Sequence, residues 1–234
     1  MHALNANSSL DAWRSGVRLL LASGGEAFNV ITTIENPLHF DPIWLDDYSP
    51  HSVIPECDRV QDVIATIFPY RLAQRLANRQ DFYKKYLALH QRAMHWPRNR
   101  ARWGTYFERL VSFGEKNRNQ LEIAIDKLQA WPKRSITGLV FHLSSPETDN
   151  PRTRGGPCWH FAELLWQQKD VIDMVVVYRN HDFFNKVLGN YLALGKLLDF
   201  IAQQSKKKPG RLICHSVHAY SERPQSSLVK LAGV

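Results

Sequence analysis

Residues 171–204, VIDMVVVYRNHDFFNKVLGNYLALGKLLDFIAQQ, contain the clearest structural pattern of the chain. Seven of the first eight positions are apolar, and the run is rich in β-branched residues, which predicts a strand over 171–178. The long, mostly apolar stretch 187–203 predicts a helix. A polar segment, 178–182, lies between them. This order indicates a mixed α and β architecture.

The neighbouring segments extend the same pattern. The apolar runs 158–166 and 171–178 are joined by the polar turn Gln167–Asp170, which predicts two paired strands. Further strands are predicted over 135–143 and 210–220. Because strands are often adjacent in the chain, we expect an α+β fold with one central mixed sheet packed with helices.

The first half of the chain alternates helical and extended patterns. A strand is predicted over 27–34, and a loop over 37–59, where prolines cluster. Helices are predicted from apolar periodicity over 11–22, 60–68, 71–94 and 118–130.

The bulk composition suits one compact domain over 1–234, with 44% hydrophobic residues. The 30 Lys and Arg against 22 Asp and Glu give a formal net charge of +8. This balance favours an anionic partner, such as a nucleotide phosphate, a polyanionic cofactor or nucleic acid. Aromatic and basic residues are not interleaved along any segment, which makes nucleic acid the weakest of the three.

The cysteines, Cys57, Cys158 and Cys214, are odd in number and widely spaced, which argues against a disulfide framework or a zinc knuckle. The polar start from Met1 to Leu10 has no hydrophobic core segment of a signal peptide. No apolar stretch approaches the length of a membrane span. We therefore expect a cytoplasmic protein with no membrane partner.

Cys158 follows the turn Gly155-Gly156-Pro157 at the opening of a predicted strand. A cysteine in this position can be partly exposed, and a neighbouring arginine can lower the pKa of its thiol and supply thiolate for attack. The alternative is an inert core cysteine, because free cysteines are often buried.

Three further segments carry side chains suited to recognition. Arg179 and Asp182 follow an apolar strand, where Arg179 can bind phosphate at a cleft or the two can form a surface ion pair. Asn190 lies in the first turn of a helix, and its amide matches a uracil edge or serves as a helix cap. His218 and Tyr220 share one strand face, which can bind a ribose or be only a half-buried face.

The order and spacing of these segments resemble thymidylate synthase and its nucleotide hydroxymethylase relatives. The resemblance covers 100–231, the nucleotide-site part, well and 11–99, the divergent part, only loosely. Two upstream motifs are also similar to the family, namely its site tyrosine region and its paired arginines. The matching residues are Pro157-Cys158, Arg179 with Asp182, Asn190, His218 with Tyr220, Trp103-Gly104-Thr105-Tyr106, and Lys133-Arg134.

The resemblance implies a thymidylate synthase-like single domain that acts as a transferase of nucleotide biosynthesis. It would move a methyl or hydroxymethyl group from 5,10-methylenetetrahydrofolate to ring position 5 of a pyrimidine nucleoside monophosphate, a uridylate. The implied catalytic residues are Cys158 as nucleophile, with Tyr106 and Asp182. The implied nucleotide-binding residues are Arg179, Asn180, Asn190, His218, Tyr220 and, reaching across a homodimer, Lys133 and Arg134.

The chain also departs from the family pattern. Trp159 replaces the histidine after the nucleophile, and the stretch 57–107 has no glutamate, so Thr66 is the best match to the family's proton-transfer glutamate. Because the sequence ends shortly after Tyr220, we expect no segment like the one that closes over folate in the family. Without such a lid water should compete better for the intermediate, which favours a hydroxymethyl product. The missing glutamate keeps a second interpretation open: a pyrimidine-nucleotide-binding protein with little or no alkyl transfer.

Overall fold

The structure is a computed structural model that describes residues 1–40, 59–95, 103–130, 138–151, 155–166 and 170–233. Its strands form one six-stranded sheet in the order β1-β2-β6-β5-β4-β3. The strands are β1 (His2–Ala6), β2 (Glu26–Ile34), β3 (Val140–His142), β4 (Trp159–Trp166), β5 (Val171–Asp182) and β6 (Lys208–Tyr220). The helices are α1 (Ser9–Ala22), α2 (Val60–Ile67), α3 (Tyr70–Ala73), α4 (Arg79–Met94), α5 (Tyr106–Val111), α6 (Gln120–Ala130), α7 (Val187–Gln204) and α8 (Gln225–Ala232).

The sheet is mixed. β1 pairs with β2 and β5 pairs with β6 in parallel, whereas the β2–β6, β4–β5 and β3–β4 pairs are antiparallel. Helices α1 and α7 contact each other and pack on neighbouring strands of the sheet. The predicted α+β class, with helices packed on a central mixed sheet, is confirmed. Among the described residues, no helix is both long and apolar enough to cross a bilayer.

Several predicted elements differ in extent from the observed ones. The helix predicted over 71–94 is wrong in its first part, because α3 ends at Ala73 and Asn78 caps a new helix, accepting the Asp81 N–H at 2.9 Å. β5 does not end at 178 but continues to Asp182. The strand predicted over 135–143 is described only from 138 onward. The short elements β1, α5 and α8 were not predicted.

The contact between α2 and α7 depends on Gly189. A Cβ at this position would lie 2.7 Å from Cβ of Val63, closer than side chains pack. The glycine therefore lets α2 approach the first turn of α7. This approach places α2 beside Asn190, one residue further along α7, and forms one wall of the cleft described below.

Along β2, β6 and β5, buried and more exposed side chains alternate, and in all three strands this alternation shifts by one residue at the same level of the sheet. Asn29, in β2, has the left-handed φ of 54° that accompanies such an irregularity. One consequence is that His181, rather than its neighbour Asn180, is buried on the helix side. In a regular strand buried residues are two positions apart, but at this level they are three apart. The pairs are Tyr178 and His181 in β5, Ser216 and Ala219 in β6, and Ala27 and Val30 in β2.

The two faces of the sheet differ in exposure. Positions under the helices, such as Val176 and Leu212, are fully buried. At alternate positions Val175, Val177 and Ile213 remain partly exposed. The second face also carries Glu163 opposite Val175 and His215 opposite Val177, and the described part of the chain leaves it partly open.

The edge strand β3 is covered by side chains of α6. The Gln120 amide donates to the His142 carbonyl at 2.9 Å and accepts the His142 backbone N–H at 2.9 Å. Lys127 donates to the Gly138 carbonyl at 3.0 Å. Gln120 therefore pairs with His142 as a neighbouring strand would, which blocks edge pairing at that residue.

Candidate active site

A cleft of about 360 Å³ opens at the ends of β5 and β6, between α2, the start of α7 and the segment before β4. Its volume lies in the range typical of small-molecule sites. Residues that are distant in sequence meet there because the sheet and α7 bring their elements to one edge. The predicted site residues that line the cleft are Tyr106, Cys158, Asn180, Asp182, Asn190 and Tyr220.

Tyr106 and a glycine turn position Cys158. Gly155 and Gly156 both adopt positive φ, 79° and 83°, which allows the chain to turn just before Cys158. The buried Tyr106 hydroxyl then accepts the backbone N–H groups of Cys158 and Trp159 at 3.0 and 3.3 Å. The cysteine is held at the start of β4, partly exposed, with its thiol at the cleft.

Two opposing effects act on the Cys158 thiol. Burial raises the pKa of Cys158, and it is the larger effect. The Arg179 guanidinium acts in the opposite direction and lowers the pKa of Cys158 by its charge and by hydrogen bonding. The net pKa is raised, so the thiol is mainly protonated near neutral pH, and the expected activation by a neighbouring arginine is present but smaller than the burial effect.

Arg179 itself is anchored beside the thiol and does not line the cleft. Its Nη2 donates to the Gly155 carbonyl at 2.7 Å, and its backbone N–H donates to the Cys158 carbonyl at 2.9 Å. The alternative of a surface Arg179–Asp182 ion pair is not observed. Lys186, which lies one residue before α7, does line the cleft and brings a positive charge to it.

The Asp182 carboxylate is occupied by a local turn. Its Oδ1 accepts the backbone N–H groups of Phe184 and Glu222 at 3.0 and 3.3 Å. Its Oδ2 accepts the backbone N–H and the side-chain Nδ2 of Asn185 at 3.3 and 2.8 Å. Burial raises the pKa of Asp182, and these hydrogen bonds partly offset the effect. Asp182 thus fixes the loops after β5 and β6 while it lines the cleft.

Asn190 lies in the first turn of α7 and is buried, but it is not the helix cap, which is Lys186. Its side-chain Nδ2 lies 3.1 Å from Nε2 of His181, which also lines the cleft. His181 lies in the polar segment 178–182 but was not predicted as a site residue. In a regular strand, residues 178 and 181 would point to opposite faces.

His218 and Tyr220 share one face, as predicted, with ring centroids 5.2 Å apart. Only Tyr220 lines the cleft. Both ring nitrogens of His218 are engaged, Nδ1 with Asn180 Oδ1 at 3.2 Å and Nε2 with Glu26 Oε2 at 2.9 Å. His218 also stacks on the exposed Phe28 ring at 4.8 Å. His218 therefore lies behind the cleft and contacts two of its lining residues, Asn180 and Tyr220.

Two further residues of the cleft, Thr66 and Glu222, bear on proton transfer. Thr66, the best match to the family's glutamate, does line the cleft, but its hydroxyl donates to the Val63 carbonyl at 2.7 Å. Glu222, not predicted, lines the cleft and accepts from the Tyr220 hydroxyl at 3.3 Å. The predicted residues Lys133 and Arg134, like Cys57, lie outside the described residues.

Comparison with known proteins adds no family to this description. No protein-family model matches the chain, and no curated protein is significantly similar to it in sequence. Among the described residues, no group of three or more His, Cys, Asp or Glu side chains could hold a metal ion.

Proposed function

We propose that this protein transfers a one-carbon unit to ring position 5 of a pyrimidine nucleotide through a covalent adduct on Cys158, on a thymidylate synthase-like fold. The observation that carries the proposal is the convergence of Cys158, Asn190, Asp182 and Tyr220 on one cleft. These residues come from three strand ends and a helix. They are the same residues that match the family's motifs in order and spacing.

The side chains would divide the work as follows. The thiolate of Cys158 adds to ring position 6, which makes position 5 nucleophilic. The amide of Asn190 hydrogen bonds the base edge, and Tyr220 lies where it can bind the sugar. Lys186 lines the cleft and would attract the phosphate, whereas Arg179, held at Gly155, would stabilise the thiolate.

The residues at the cleft also fit a reduced folate donor. Trp103 offers an indole ring at the cleft, and Asp182 offers a carboxylate for the amino and ring N–H groups of a pterin. When bound, 5,10-methylenetetrahydrofolate would supply the one-carbon unit. Release of Asp182 from part of its local hydrogen bonding would be needed for a close contact.

A homodimer is part of the proposal. The second face of the sheet, where Val175, Val177 and Ile213 stay partly exposed beside Glu163 and His215, would pack against a second copy. Closed two-fold pairs are the commonest oligomers. Lys133 and Arg134 would then reach the phosphate site of the other protomer.

One alternative has specific support, namely a protein that binds a pyrimidine nucleotide with little or no alkyl transfer. Burial keeps the pKa of Cys158 raised. The Thr66 hydroxyl, at the position matched to the family's glutamate, is bound to the backbone of its own helix and cannot transfer protons as a carboxylate does. Among the described residues, the carboxylates that line the cleft are those of Asp182 and Glu222, and neither is at the position matched to the family's glutamate.

A fluorinated substrate analogue distinguishes the two functions. The protein is incubated with 5-fluoro-UMP or 5-fluoro-dUMP, with and without methylenetetrahydrofolate, and adducts are mapped by peptide mass spectrometry. Transfer chemistry predicts an adduct on Cys158 that is lost in Cys158→Ser and kept in Cys214→Ala. Binding by calorimetry without an adduct under any condition would support the alternative. An adduct on Cys57 or Cys214 would contradict the assigned nucleophile.

A further inference from the structure

The His181 imidazole is fully buried and is bound at both ring nitrogens. Nδ1 lies 2.7 Å from Oγ of Ser216, and Nε2 lies 3.1 Å from Nδ2 of Asn190. Tyr178 stacks on the same ring, with centroids 4.1 Å apart and planes within 6°. The His181 ring is thus held by stacking on one face and by a hydrogen-bond partner at each nitrogen. Through these contacts it connects Asn190 in α7 to Ser216 in β6.

These contacts assign the ring proton. The amide nitrogen of Asn190 has only N–H donors, so Nε2 accepts and Nδ1 carries the proton. Nδ1 faces two groups that can accept, the Ser216 hydroxyl and, at 4.0 Å, the Cys214 sulfur. Burial lowers the pKa of His181 to about 3, so the ring is neutral and carries a single N–H.

We propose that His181 is a positioning residue that sets which end of the Asn190 amide meets the base, and so makes the cleft select uracil over cytosine. The inference rests on the proposed function, in which Asn190 contacts the base. With Nδ2 held by His181, Oδ1 is the end left to accept the N–H at ring position 3 of a uracil. Cytosine has an acceptor at that ring position, so it would face Oδ1 lone pair to lone pair.

Two substitutions at one position separate the hydrogen bond from the packing. His181→Phe keeps a ring to stack on Tyr178 but has no acceptor for Asn190. His181→Gln places an amide oxygen where it can accept from Nδ2. Affinities for UMP, dUMP, CMP and dCMP are measured by calorimetry on each folded protein. The uracil-to-cytosine affinity ratio should fall about tenfold in His181→Phe, the equivalent of one hydrogen bond, and be largely kept in His181→Gln.

A second variant and a spectroscopic measurement keep the test decisive if His181→Phe does not fold. Ser216→Ala removes the partner of Nδ1 and should lower the same ratio in the same direction. Long-range ¹⁵N–¹H spectra should show the Nδ1–H form of His181 without any nucleotide. An Nε2–H form, or an unchanged ratio in the folded variants, overturns the positioning role. A wild-type protein that binds none of the four nucleotides overturns the proposed function instead, while the spectra still decide the state of His181.

Discussion

The phenol oxygen of Tyr106 lies 3.0 Å from the backbone nitrogen of Cys158, although the two residues are 52 positions apart in the chain. The same oxygen accepts the next N–H, that of Trp159, at 3.3 Å. One buried hydroxyl thus ties the first turn of α5 to the start of β4. The tie therefore helps to fix the backbone that carries the thiol.

Tyr106→Phe should destabilise the protein by about 1–3 kcal/mol, because it leaves the backbone N–H groups of Cys158 and Trp159 without their acceptor. The measurement is urea unfolding at neutral pH. Tyr178→Phe is the matched control, because the Tyr178 hydroxyl is buried with no hydrogen-bond partner among the described residues. Its removal should be neutral or stabilising. Equal losses in the two variants would contradict the bridging role of Tyr106.

Arg179→Gln should raise the pKa of the Cys158 thiol further, because it removes the nearby positive charge that opposes the effect of burial. The pH profile of Cys158 alkylation by iodoacetamide, followed by peptide mass spectrometry, should therefore move to higher pH. Arg71→Gln in α3 removes the same charge from a distant exposed site and should leave the profile in place. A shift of equal size in both variants would assign the effect to net charge.

The buried His181 should make the protein lose stability in acid. Its pKa is about 3 in the folded protein against an ordinary value of 6.5, so between these values the unfolded chain binds a proton that the folded protein does not. The free energy of unfolding should fall as the pH drops below about 6.5, by at most ~1.4 kcal/mol per pH unit. The raised pKa of Asp182 has the opposite sign, because the folded protein takes up this proton at a higher pH than the unfolded chain does.

The contribution of His181 is isolated by comparing variants over pH 4 to 7 in urea. His181→Gln should show a shallower loss of stability than the wild type. His142→Gln, which replaces an exposed histidine of β3, is the control and should keep the wild-type slope. Parallel curves for His181→Gln and the wild type would show that the acid sensitivity arises elsewhere.

Gln120→Ala should weaken the edge of the sheet, since it removes an amide that makes three hydrogen bonds, to the backbone of His142 and to the Arg109 carbonyl. We expect a loss of about 1–2 kcal/mol and faster aggregation on heating, because β3 then exposes unpaired backbone groups. Gln129→Ala removes a single exposed bond, to the Gln204 carbonyl, and is the control. Light scattering and urea unfolding measure the two effects. Indistinguishable variants would refute the edge-cap role.

A shared site predicts complementation between two inactive proteins. Arg134→Ala and Cys158→Ala should each lack activity alone, and mixed dimers should regain it, because one site in each mixed dimer holds both residues. The readout is adduct formation or turnover after subunit exchange, with dimers verified by light scattering. A monomer at working concentration, or no recovery after demonstrated exchange, would leave the site within a single chain.

Much of the secondary structure followed from local patterns. The apolar periodicity of α1, α2, α6 and α7, and the β-branched runs of β2 and β5, predicted those elements within a few residues. The short polar strand β1 was missed, because its residues become a strand only through pairing with β2, 28 residues further along the chain at His2–Val30. The break between α3 and α4 was missed because apolar residues continue through it.

What the sequence alone determined is which side chains could carry chemistry: Cys158, Asn190, Asp182 and Tyr220 were all identified before their meeting place was known. What the tertiary structure decided is which neighbours surround these side chains. The shift in alternation across three strands turns His181 inward to Asn190, Arg179 flanks the thiol, and both nitrogens of His218 are engaged. Spacing along a chain encodes local periodicity, whereas burial, hydrogen-bond partners and the resulting pKa values depend on contacts between distant strands.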